Sequence, residues 1–202
     1  MIKNSNQILN IFTIDEIQFL VKFLNKLPAS RNSGSEFFAY TNGFEKKDFV
    51  YPAIHKLIIE KLEIVLGKKI NLLCGMLLKE EKPWEIHTDY FKGDDSPNLA
   101  IVIPLNTEEL NTHTVVFNEE CLDKFQNFIS NNNKLENNAA NLYNNLCSHE
   151  SIDHLEYVSL LSAYKWHPGS VIYWDRKLLH CSDNFLQNGI SQKTALVIFT
   201  TN

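Results

Sequence analysis

Trp166-His167-Pro168-Gly169-Ser170-Val171-Ile172-Tyr173-Trp174-Asp175-Arg176-Lys177-Leu178-Leu179-His180 reads as a turn, a short strand and an apolar step that ends on a histidine. Proline presets φ and glycine accepts positive φ, so Pro168-Gly169 marks a reversal. Ser170 to Trp174 is rich in β-branched and aromatic residues, the composition of a buried strand. Leu178-Leu179 then leave His180 at the mouth of a sheet pair or barrel, where side chains from distant strands converge.

The same signature recurs on both sides. Ile70 to Lys79, Leu99 to Leu105, Thr112 to Asn118, Tyr157 to Trp166 and Thr194 to Thr200 are short and apolar, separated by turn signals such as Asp94-Asp95-Ser96-Pro97. Upstream the period is helical. Thr13-Ile14-Asp15-Glu16 has the form of a capping box, with Phe12 and Ile17 at hydrophobic-staple positions, and Ile17, Leu20, Val21, Leu24 and Leu27 share one face ahead of Pro28. A second helix begins at Pro52, carries Ile54, Leu57, Ile58, Leu62 and Val65, and ends at Gly67. Residues 28 to 49 are loop-like, with a turn at Asn42-Gly43 and a short strand candidate at Glu36 to Tyr40.

Two helices followed by about six strands predict a mainly β fold, a sheet pair or barrel with N-terminal helices packed outside. A chain of 202 residues is expected to form one domain over 1–202. One segment interrupts the strands: an Asn-rich insertion at about 119–156, with helical patches at Cys121 to Ile129 and Ala139 to Leu146. Insertions of this length are often lids, although AT-rich coding sequence also produces Asn-rich tracts without function.

Composition excludes several classes. With 44% hydrophobic and 21% charged residues the chain is ordinary globular protein, and a net charge of -5 gives no basic footprint for nucleic acid or an anionic membrane. Cys74, Cys121, Cys147 and Cys181 make no Cys-x-x-Cys pair, and no run of apolar residues is long enough for a membrane span or has the form of a leader. A cytoplasmic location with reduced thiols is the expectation, and the absence of a basic patch leaves a small molecule, an amino acid or a protein side chain as the partner.

Chemistry enters at Trp84-Glu85-Ile86-His87-Thr88-Asp89-Tyr90-Phe91. In extended backbone, residues two apart share a face, so His87 and Asp89 can close on one metal ion. The pair alone decides nothing, since 7 His and 24 acidic residues in 202 give about 0.8 His-x-acidic pairs by chance (7 × 24/202). His180 supplies a third ligand, although a histidine at a strand end is equally often just hydrogen-bonded to a neighbour. Two histidines and a carboxylate on one side of a metal suit non-haem Fe(II) and O2 chemistry. Lys193 comes 13 residues after His180 and heads an apolar strand, where a buried ammonium needs an anion. Its partner is a protein carboxylate, the solvent or the distal carboxylate of a keto acid.

His87-x-Asp89, His180 and then Lys193 before an apolar strand resemble the Fe(II)- and 2-oxoglutarate-dependent dioxygenases, and the Trp166 to His180 tract is similar to the segment that delivers their distal histidine. The resemblance covers roughly residues 70–118 and 157–200. It implies a double-stranded β-helix, or jelly roll, of the cupin type, with Fe(II) held by His87, Asp89 and His180 as the catalytic set. 2-Oxoglutarate would chelate the iron while Lys193 pairs with its 5-carboxylate. O2 would then drive substrate hydroxylation with release of succinate and CO2. Halogenating relatives replace the metal carboxylate by a small residue, so Asp89 favours hydroxylation. Where many members place a serine two residues after the basic residue, this chain has Ala195, so a second partner for the cosubstrate comes from elsewhere.

Trp84, Tyr90, Phe91 and Arg176 lie near these ligands in sequence and are candidate substrate contacts, against the plain alternatives of core aromatics and a surface ion pair. Three rival readings stay open: a zinc site from Cys147, His149 and His154, a cupin-like metal-binding module without a keto acid, and a jelly roll without metal.

Overall fold

Two antiparallel sheets face each other in the computed structural model, which describes residues 5–26, 30–32, 35–39, 52–90, 98–135 and 138–201. The strands are β1 (Ser5–Ile8), β2 (Ser30–Asn32), β3 (Ser35–Ala39), β4 (Asn71–Glu80), β5 (Leu99–Pro104), β6 (His113–Glu120), β7 (Leu160–Lys165), β8 (Val171–Asp175), β9 (Leu178–Ser182) and β10 (Lys193–Thr201). The larger sheet runs β1-β8-β5-β10-β4-β3-β2 and the smaller runs β7-β6-β9. This is the jelly-roll arrangement expected from the sequence.

Period-two alternation sorts each strand between two cores. On β5, Leu99, Ile101 and Ile103 pack outward against Ile17, Leu20, Ile54, Ile58 and Leu62 of the N-terminal helices. Ala100 and Val102 face the space between the sheets, with Val116, Trp166, Trp174 and Phe199. All of β5 is therefore buried, which explains a strand apolar on both faces.

Helix α1 (Ile14–Leu24) carries the expected capping box: Thr13 N–H donates to Glu16 Oε2 at 2.8 Å, and Glu16 N–H donates to Thr13 Oγ1 at 3.2 Å. It closes at Asn25, earlier than Pro28 suggests; Pro28 lies outside the described residues. Helix α2 (Pro52–Leu66) ends at Gly67 with φ +64°, as read. Lys61 on α2 ties the two helices by donating to Glu16 Oε2 at 2.8 Å. The Asn42-Gly43 and Asp94 to Pro97 turns lie outside the described residues.

The turn at Gly169 is sterically specific. Its φ is +66°, and a Cβ there would meet the Phe12 carbonyl oxygen at 2.1 Å. The N–H groups of Ile11 and Phe12 both donate to the Gly169 carbonyl, fastening the start of α1 to the reversal before β8.

Three elements depart from the sequence reading, the first being β2, which pairs with β3 inside a stretch read as loop. β9 is a full strand with His180 at its centre, reached from β8 through the two-residue turn Arg176-Lys177 that carries the chain from one sheet to the other. Its His, Cys and Ser have no marked strand preference; pairing with β6 and burial on both faces hold it in place. The polar β1 is a strand because it covers the free edge of β8.

The insertion forms three short helices, α3 (Phe125–Asn131), α4 (Ala139–Asn145) and α5 (Ile152–Leu155). Ala139, Leu142, Cys147 and Leu155 pack on Val115, Phe117 and Leu179, the outer face of the smaller sheet. No described residue of 119–156 lines the cavity between the sheets, but Leu122, Asp123, Lys124 and Phe125 line a second hollow beside His87, so the insertion both braces the smaller sheet from outside and borders the site. No described helix is long and apolar enough to cross a membrane.

Candidate metal centre

Strand pairing brings the two histidines together. His87 N–H donates to His180 O at 3.0 Å and His180 N–H donates to His87 O at 2.9 Å, an antiparallel bridge that extends the smaller sheet beyond β9. Directly opposed residues project to the same face, and the ring centroids are 4.3 Å apart. Asp89 returns to that face two residues later. Its Oδ2 is 3.2 Å from His180 Nε2 and its Oδ1 is 3.9 Å from His87 Nε2. The three ligand atoms lie within 4.8 Å of one another, the one such group among the described residues.

Both rings are oriented for metal binding. His87 Nδ1 lies 2.6 Å from Glu85 O, and His180 Nδ1 lies 3.1 Å from Leu178 O. A carbonyl oxygen only accepts, so each Nδ1 carries the proton and each Nε2 lone pair is free for the ion. Burial pushes the His87 pKa down to about 4, with His180 opposing a second positive charge and Asp89 and Glu85 partly offsetting both. About a third of the His87 side chain stays open (35%), which softens that shift without reversing it. Burial alone would raise Asp89, but His180, His87 and Arg176 outweigh it and hold the carboxylate ionised. Two neutral imidazoles and one carboxylate, open toward a cavity, fit Fe(II).

Arg176 has a different place from the substrate contact expected of it. It is 1% exposed, and its Nε and Nη2 donate to the Asp89 carbonyl at 3.0 and 2.7 Å. Thr88 Oγ1 donates back to Arg176 O at 2.7 Å. Arg176 thus fixes the backbone from which the Asp89 carboxylate projects.

The insertion holds the other side of the same segment. The buried Glu150 carboxylate accepts from Ile86 N–H, and His149 Nε2 donates to Trp84 O at 3.1 Å. His154 Nδ1 lies 3.4 Å from Glu150 Oε2, and Cys147 Sγ lies 3.7 Å from Cys181 Sγ. The ligand atoms of Cys147, His149 and His154 do not converge, which removes the zinc reading.

A cavity of about 400 Å³ opens from the metal ligands into the space between the sheets. Trp84 lines it, its ring 5.5 Å from His87. Lys193 lies in its wall, 1% exposed, over the rings of Trp166 at 4.1 Å and Phe185 at 4.8 Å. Its ammonium donates to Ser182 Oγ at 3.0 Å and stands 3.3 Å from Glu80 Oε2. Ala195, the next inward residue on β10, is buried core, and the hydroxyl beside the ammonium is that of Ser182 on β9.

Sequence reasoning missed Glu80 and Ser182. Ser182 was within reach, because it follows His180 by two residues and so shares its face. Glu80 becomes visible through register, as the direct partner of Lys193 across β4 and β10. Tyr90 lines a second hollow, with Ile86, Thr88, Leu122 and Phe125, and the two hollows meet at His87. Phe91 lies outside the described residues.

No family model matches this chain, and no curated protein does. Solved structures do. The alpha-ketoglutarate-dependent epimerase SnoN of nogalamycin biosynthesis aligns with a TM-score of 0.64 at 10% identity, over 99% of this chain and 79% of its own. An oxidoreductase of the 2OG-Fe(II) oxygenase family from Burkholderia pseudomallei gives 0.59 at 11%, over 98% and 84%. The fold is that of the 2OG-Fe(II) oxygenases. A third structure on this fold, HygX from Streptomyces hygroscopicus with nickel and 2-oxoglutarate bound, gives 0.59 at 12%, over 98% and 83%. At these identities the shared property is the 2OG-Fe(II) oxygenase fold, and the chemistry of this chain rests on its own residues.

Proposed function

We propose that this protein is an Fe(II)- and 2-oxoglutarate-dependent oxygenase that hydroxylates a small organic substrate. The observation that carries the reading is the meeting of His87, Asp89 and His180 with Lys193 in the wall of one cavity. The same cosubstrate is named with SnoN and HygX, which supports the choice of 2-oxoglutarate.

His87, Asp89 and His180 would hold the iron, leaving the cavity side for the cosubstrate and O2. Iron bound there with these two would supply oxidising power against an unactivated C–H bond. The protein's residues bind, orient and exclude. The Nδ1–H bonds to Glu85 O and Leu178 O keep both imidazoles in the ligating tautomer, and Arg176 fixes the Asp89 backbone. Lys193 and Ser182 offer donors to a distal carboxylate, and the apolar wall of Met76, Leu78, Val102 and Val197 excludes water around its methylene groups. The hollow beside His87 that Tyr90 lines is the place assigned to the substrate.

The deciding experiment adds 2-oxoglutarate to the anaerobic Fe(II)-loaded protein. A weak visible metal-to-ligand charge-transfer band, and succinate formation on admitting O2, are the expected results. A folded, iron-loaded protein that gives neither sinks the reading. Product mass separates outcomes: hydroxylation adds one oxygen atom, whereas epimerisation leaves the mass unchanged. The Glu80–Lys193 pair also suits a metal-binding module that uses no keto acid. In such a module Lys193→Ala would leave small-ligand binding at the metal unaltered.

A further inference from the structure

The cavity holds a second acid besides Asp89. Glu80 is 6% exposed, ends β4 directly opposite Lys193 on β10, and sits 3.3 Å from its ammonium. Ser182 Oγ joins both, 3.2 Å from Glu80 Oε2 and 3.0 Å from Lys193 Nζ. The faces of Trp166 and Phe185 cover the remainder of the ammonium. Before any cosubstrate arrives, Lys193, the one Lys or Arg among the described residues that line this cavity, is already paired with a protein carboxylate.

Placing a dicarboxylate's distal end on Lys193 would therefore bring two carboxylates to one ammonium at a point where both protein groups are buried. Like charges at such distance cannot both stay ionised without a large penalty, and the ordinary resolution is that one takes a proton. Few other groups are placed to share the load. Ser182 from β9 faces Glu80, and across the cavity stand His87, Asp89 and His180, while the Cys181 thiol is turned to Cys147 behind the smaller sheet. β5, β6 and β8 contribute only Val102, Thr114 and Trp174 to the wall, and Ser35, the register partner on β3, is an uncharged residue.

We infer that Glu80 makes cosubstrate binding proton-coupled: the distal carboxylate of 2-oxoglutarate is accepted on Lys193 with uptake of one proton from solvent by Glu80. The proton ends on a Glu80 carboxyl oxygen, and the resulting carboxylic acid donates to the incoming carboxylate. No bond other than that O–H forms. Glu80 is in this way a specificity residue, since a 2-oxo acid with an uncharged tail leaves the Glu80–Lys193 pair intact and binds without a proton. The inference rests on the 2-oxoglutarate reading above.

Titration calorimetry of the Fe(II)-loaded, anaerobic protein with 2-oxoglutarate, in buffers of different ionisation enthalpy at pH 8, counts the protons. The wild type should take up about one per cosubstrate, with its Kd rising toward about tenfold per pH unit above neutrality. 2-Oxovalerate, with an uncharged tail, should take up none. Glu80→Gln should bind 2-oxoglutarate more tightly, with no proton uptake and a flat pH profile. Uptake near zero in the wild type, or uptake that persists in Glu80→Gln, overturns the inference while leaving the oxygenase reading standing. Absence of any 2-oxoglutarate binding, with iron bound, overturns that reading and the inference together. The wild-type buffer series stands without the variant should Glu80→Gln fail to fold.

Discussion

The two sheets are backed differently, and the contrast separates scaffold from site. Behind the larger sheet, α1 and α2 supply a continuous aliphatic layer in which Ile17, Leu20, Ile58 and Leu62 are fully buried. Behind the smaller sheet, the insertion supplies a thinner layer that contains two thiols and reaches through it with polar groups, Glu150 to Ile86 N–H and His149 to Trp84 O. Aliphatic backing is non-directional and supports the sheet as a whole. Directional hydrogen bonds to backbone fix where one segment runs, and that segment is the one that carries His87 and Asp89.

The contrast breaks first if a ligand proves dispensable. His180→Ala is expected to abolish stoichiometric Fe(II) binding while circular dichroism remains that of a folded protein; normal iron uptake in anaerobic dialysis would remove the metal assignment. On the scaffold side, Leu62→Ala should cost about 2–5 kcal/mol in denaturant unfolding. The Fe(II) affinity of the molecules that remain folded should be unchanged. An equal loss of iron affinity would mean that the helices position ligands after all.

A finer distinction lies in Glu150→Ala. Iron affinity should fall about 10- to 100-fold, as when a partner that orients a ligand is lost. Stability should fall by about 1–3 kcal/mol for the stranded Ile86 N–H. A stability loss with unaltered iron affinity would make the insertion merely another scaffold. Thr13→Ala, which removes the cap of α1, should cost about 1 kcal/mol with no change at the metal, measured by the same pair of assays.

The smallest effect concerns pH. Burial lowers the pKa of His55 on α2 from its ordinary 6.5. Its neutral form is the one that the fold favours, so its contribution is fully present above about 6.5 and is lost as pH falls toward the depressed value. His55→Gln should flatten the decline of Tm between pH 6.5 and 5 in the metal-free protein. An unchanged slope would place that decline at the metal side, in His87.

Local signals carried much of this protein. The capping box at Thr13, the Pro52 to Gly67 helix and the strands around Pro168-Gly169 were legible because each depends on neighbours a few residues away. His87 and Asp89 were legible as a pair for the same reason, by the period of extended backbone. His180 and Lys193 were reached through their order and their resemblance to a known pattern. The error over Arg176 was of another kind: a charged side chain beside the ligands suggests solvent or substrate, and the fold had buried it on a backbone carbonyl.

What the residues alone established is thus the inventory: two bracing helices, a set of short buried strands, and the imidazoles, carboxylate and ammonium on which the proposed site is built. Folding chose the partners. The His87–His180 bridge, the Glu80–Lys193 register and the descent of the insertion behind the smaller sheet are all contacts between segments far apart in the chain. A one-residue slip in either pairing would turn those side chains to the opposite face. No local preference in the sequence encodes that choice, because it is made by the burial of whole sheet faces at once.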